Sequence, residues 1–66
     1  MVKYLFTLIS FQGKTLGYVD YEYKRLRDAI ARGGMLLWET DKCGRVLIES
    51  NNGFQMTLEW GTRRDC

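Results

Sequence analysis

Two three-residue stretches that end in glycine, Lys42-Cys43-Gly44 and Asn51-Asn52-Gly53, constrain this chain more than any other feature. Each lies between short apolar runs. The alternation on either side matches only if the three residues form a hairpin loop whose last residue takes a positive φ. That register sets Trp38 against Ile48, Ile48 against Met56 and Val46 against Leu58. A slip of one residue would turn every large side chain of the second half to the opposite face.

The resulting meander has strands over residues 35–40, 45–50 and 54–60. Leu36, Trp38, Val46, Ile48, Phe54, Met56, Leu58 and Trp60 fall on its inner face. On the outer face Met35, Leu37 and Leu47 alternate with charged residues, and Arg45 stands opposite both Asp41 and Glu59, so that these charges satisfy one another.

Upstream, residues 2–11 (VKYLFTLISF) are rich in β-branched and aromatic side chains and read as one long strand. Val2, Tyr4, Phe6 and Leu8 occupy one face, and Leu5, Ile9 and Phe11 the other. A strand apolar on both sides is central, or its second face meets something else. Gln12-Gly13-Lys14 turns the chain into a shorter strand over residues 15–19. Asp20 then reads as an N-cap, and Tyr23, Leu26, Ala29 and Ile30 recur at helical spacing over residues 21–32, with Gly33-Gly34 as the stop.

These elements predict an α+β fold of order ββαβββ. A single helix packs on a mostly antiparallel, strongly twisted five-stranded sheet that can curl toward a half-barrel. Residues 1–66 form one domain, near the lower size limit for a core without staples, and residues 62–66 read as a frayed tail.

The chemistry-bearing residues are sparse. Histidine is absent, which removes the commonest general base, the Ser-His and Cys-His nucleophile pairs and most zinc sites. Glu39, Glu49 and Glu59 share a sheet face whose ordinary role is to meet solvent. The glycines form no phosphate-binding fingerprint. Neither an enzyme nor a cofactor, metal or small-molecule site is expected. Cys43 at a loop tip and Cys66 at the terminus read as free thiols of a cytoplasmic protein. No apolar run approaches the length of a membrane span, so no membrane partner is expected.

Two surfaces remain without an assigned role. Lys24, Arg25, Arg27 and Arg32 project opposite the apolar stripe of the helix, next to Tyr21, while the net charge is only +2. Used on nucleic acid they would contact phosphates, with Tyr4, Phe6 or Tyr18 as stacking platforms. The other surface is apolar: one helix covers one face of the sheet, leaving Tyr4, Phe6, Met35, Leu37 and Leu47 as a candidate interface for a second copy or a foreign protein.

An N-terminal hairpin followed by a basic helix resembles, in outline, several small toxin–antitoxin and phage-encoded proteins. No motif carries residues across. The reading that follows is a small non-enzymatic protein-binding module, an inhibitor or adaptor encoded by a virus and able to form a homodimer. The alternative is a nucleic-acid-binding module that uses the basic helix face.

Overall fold

A computed structural model describes residues 1–60 of the chain. The expected tail at 62–66, with Cys66, lies outside the described residues. The elements run β1 (Val2–Ser10), β2 (Thr15–Tyr23), α1 (Leu26–Glu39), β3 (Cys43–Ser50) and β4 (Gln55–Glu59). The fold is α+β, with one helix on a four-stranded antiparallel sheet of order β2-β1-β3-β4. The order is therefore ββαββ rather than ββαβββ, and the sheet stays open.

β1 is an interior strand, one of the two alternatives that its apolar faces left open. It pairs antiparallel with β2 through Phe6 and Val19, and with β3 through Phe6 and Ile48. Because β2 and β3 are both antiparallel to β1, they run in the same direction, and α1 carries the chain across β1 from one to the other. The helix-side face of the sheet holds Tyr4, Phe6, Leu8, Val46 and Ile48, all buried, with Val19, Tyr21, Tyr23, Met56 and Leu58 packed around them.

The hairpin at Asn51-Asn52-Gly53 forms as expected. Gly53 takes φ 98°, and the β3–β4 register pairs Ile48 with Met56, Val46 with Leu58 and Arg45 with Glu59. Ser50 serves this turn twice, since its backbone N–H donates to the Phe54 carbonyl and its hydroxyl accepts from the Phe54 N–H. Gly13 likewise takes a positive φ in the β1–β2 turn.

The other glycine-ended stretch is not a hairpin. Residues 35–39 belong to the helix and not to a strand, so Trp38 does not pair with Ile48; residues 40–42 join helix to strand, and Cys43 and Gly44 open β3. The positive φ falls on Lys42 at 65°. Gly44 serves close approach instead, because a Cβ there would lie 2.8 Å from the Phe11 Cα. Cys43, read as an exposed tip residue, is buried, and its thiol donates to the Arg45 carbonyl at 3.2 Å. Asp41 sits in the turn, which leaves Glu59 alone opposite Arg45, at 4.0 Å between half-exposed side chains.

The helix is displaced by five residues at its start and seven at its end from the expected span of 21–32. Asp20 lies in β2 and caps nothing; Gly17, Val19, Tyr21 and Tyr23 alternate onto the helix side of that strand. The N-cap position falls to Arg25, whose side chain makes no capping bond. The buried helical positions are Ala29, Gly33, Leu36 and Leu37, a stripe at spacings of four, three and one. Gly33 lies inside that stripe because the helix meets the sheet there: an added Cβ would stand 2.7 Å from the Ile48 Cδ1 and 3.0 Å from the Leu58 Cδ1.

The two adjacent glycines should therefore respond oppositely to substitution. Nothing lies within 4 Å of a Cβ at Gly34. Gly34→Ala should gain about 1 kcal/mol of stability from helix propensity and raise the melting temperature by roughly 4–8 °C. Gly33→Val should lose about 1–3 kcal/mol by overpacking against Ile48 and Leu58. Thermal unfolding followed by circular dichroism checks both.

Candidate functional site

The basic residues do not line one helical face. Lys24 and Arg25 precede the helix, and Arg27 lies exposed in its first turn beside Asp28. Arg32 is engaged elsewhere. Its Nε donates to the Tyr23 hydroxyl at 2.9 Å, and its guanidinium carbon stands 4.7 Å from the centroid of the Tyr21 ring. The hydrogen bond to Tyr23, then the charge interaction with that residue, raise the Arg32 pKa above its ordinary value. Tyr21 in turn meets Phe6 edge-on, with centroids 5.8 Å apart, so Arg32 and Tyr21 close the β2 flank of the core.

The apolar candidates divide the same way. Tyr4, Phe6 and Leu37 are buried in the core, which corrects their assignment to an interface, although Leu37 reaches the edge of one groove. Stacking platforms at Tyr4 and Phe6 are excluded for the same reason, while Tyr18 is exposed. Met35 is exposed on the helix beside Tyr23 and Arg32, whereas Leu47 is half-buried on the opposite face of the sheet. That open face carries Leu5, Ile9, Tyr18 and Leu47 among Lys3, Asp20, Glu22 and Glu49. It is mixed rather than uniformly apolar.

The carboxylates are scattered as well. Glu39 is on the helix, Glu49 pairs with Gln55 and Glu59 faces Arg45. Among the described residues no three of Cys, Asp and Glu gather in a way that would hold a metal ion. No helix among them is long and apolar enough to cross a membrane.

The concentration of exposed aromatic surface lies where the helix ends. Trp38, expected in the core, is 75 % exposed, Trp60 44 % and Phe11 67 %. The two indoles are tilted at 52° with centroids 5.7 Å apart, inside the range that aromatic pairs favour. Trp60 is held by its own N–H, which donates to the Cys43 carbonyl at 2.9 Å. Phe11 is positioned by its backbone, pressed against Gly44. Together with Leu37, Glu39, Thr40, Asp41 and Lys42 these side chains line an open groove of about 330 Å³. On the far side of Phe11 a second recess is lined by Leu16, Lys14 and Lys42.

A strand register over residues 35–40 predicts Trp38 in the core. Its position one past the buried Leu36-Leu37 pair was the signal that would have placed it outside, once the helix was read through Gly33-Gly34. Comparison with family models, with curated proteins and with solved structures finds no match to this chain. The site therefore rests on its own geometry.

Replacing the Trp60 indole by a ring without a donor tests the anchor. Trp60→Phe should cost about 1 kcal/mol in urea unfolding, because the Cys43 carbonyl loses its partner.

Proposed function

We propose that this chain is a non-enzymatic protein-binding module, an inhibitor or adaptor, that docks through the aromatic end formed by Phe11, Trp38 and Trp60. The observation that carries the reading is the exposed indole of Trp38 packed, tilted, beside an anchored Trp60. Tryptophan is among the residues that dominate binding energy at protein interfaces, where a large ring fills a partner's pocket at small cost in side-chain entropy. Its burial in a partner would recover solvation free energy that this fold leaves unclaimed. The rigid support matters equally: Trp60 is hydrogen-bonded to backbone and Phe11 is wedged on Gly44, so little ordering is left to the moment of binding.

The nucleic-acid alternative is less well supported. Lys24, Arg25 and Arg27 gather at the start of the helix, and Trp38 lies about 20 Å away at its end, by the 1.5 Å rise per residue. Bases stacked on Trp38 would find Glu39 and Asp41 beside them rather than those cations.

The test is capture on immobilised protein from the source cell. Trp38→Ala should abolish recovery of the partner, a loss of about 2 kcal/mol or more in affinity, while costing at most about 1.5 kcal/mol of unfolding stability, the scale of its pairing with Trp60. Arg27→Ala should leave capture unchanged. Recovery that is indifferent to Trp38 would sink the reading.

A further inference from the structure

We infer that the groove between Phe11, Trp38 and Trp60 receives a cationic side chain, arginine or lysine, from a segment of the partner protein. This rests on the protein-binding reading above and specifies the chemistry of what binds.

The charge around the indoles points to a cation. Glu39 and Asp41 flank Trp38 in the groove, and among the described residues Lys42 is the one cation lining it. Arg45, nearby on β3, is already matched with Glu59. The groove also opens at the C-terminal end of α1, where the peptide dipoles leave partial negative charge, and the last turn holds no basic residue to offset it. Indole faces attract guanidinium and ammonium groups more strongly than other aromatic rings do. The chain uses the same chemistry internally, with Arg32 over the Tyr21 ring.

Shape agrees with charge. At about 330 Å³ the groove lies at the lower end of the range for ligand sites, roughly 300–1,000 Å³, and it is open to solvent along its length. It suits one long side chain whose apolar stem lies on Phe11 and Trp60 while its charged head reaches Trp38 and the carboxylates. The recess beyond Phe11, with Lys14 and Lys42, carries the opposite sign, so an acidic segment would settle there rather than between the indoles.

The experiment is an NMR titration of the full chain, following the two indole N–H signals. The probes are three capped pentapeptides, Gly-Xaa-Gly-Xaa-Gly, with Xaa arginine, glutamine or glutamate. The arginine peptide should shift the Trp38 signal most, and its affinity should fall as salt rises from about 20 to about 500 mM. Glu39→Gln and Asp41→Asn should each weaken it by about two- to five-fold, the scale of exposed charge pairs. The glutamine peptide should leave the Trp38 signal in place.

Equal binding of the glutamine peptide, a stronger Trp38 response to the glutamate peptide, or indifference to both carboxylate substitutions would overturn the proposal. So would protein-concentration-dependent shifts of Trp38 without peptide, since the occupant would then be a second copy. A Trp38-dependent capture from cells with no response to the arginine peptide would remove this inference and keep the protein-binding reading. Capture independent of Trp38 would remove that reading instead.

Discussion

The fold depends on β1 lying in the middle of the sheet, with Phe6 fully buried between Val19 of β2 and Ile48 of β3. A strand apolar on both sides suits that place, since one face meets the helix and the other, with Leu5 and Ile9, forms the centre of the open face. Thr7, between Tyr18 and Leu47 in the register, is buried even though it points away from the helix. With β1 central, β2 and β3 must be joined across it, and the chain between them has to span the sheet as one continuous helix. The non-local pairing of β1 with β3 therefore determines what residues 24–42 do.

The helix pays two local penalties to meet that demand. Two glycines in its interior each disfavour it by about 1 kcal/mol relative to alanine. Lys24, Arg25 and Arg27 crowd its positive end, where only Asp28 has the favoured sign, and Glu39 sits at its negative end, against the dipole. Burial offsets both costs. Gly33 lets the helix axis come close enough for Ala29, Leu36 and Leu37 to reach the core, with the Ile48 and Leu58 side chains filling the space where a Cβ would stand. Once the helix continues to Glu39, Trp38 is carried past the core and out to solvent, and it meets Trp60 as that residue leaves β4. The exposed aromatic end is thus a geometric consequence of how far the helix runs.

How much was legible varies with the range of the interactions involved. The Asn51-Asn52-Gly53 hairpin, its register down to Arg45 and Glu59 and the turn at Gly13 all followed from turn chemistry and period-two alternation over a few residues, and the central place of β1 was one of two alternatives that its apolar faces allowed. The span of the helix did not. Asp20 before an apolar periodicity and a Gly-Gly pair after it are sound local signals, and packing overrode both. The same override moved Cys43 from an exposed loop to the core, and it dispersed the basic cluster by laying Arg32 on Tyr21 and Tyr23. Of the candidate surfaces, Met35 remains exposed and Leu47 half-exposed, whereas Tyr4, Phe6 and Leu37 are core. The aromatic end is not legible from strand register, which puts Trp38 and Trp60 on the inside.

By itself the sequence determined the α+β class, the hairpin at one of the two glycine-ended stretches and the pairing of β3 with β4, because those depend on backbone conformations that particular residues favour locally. Only the tertiary structure decided where the helix begins and ends, that Gly33 is a contact rather than a stop, and which tryptophan faces solvent. Those outcomes turn on the free energy of docking a helix against a sheet assembled from distant strands, which at Gly33-Gly34 exceeds what two glycines cost a helix.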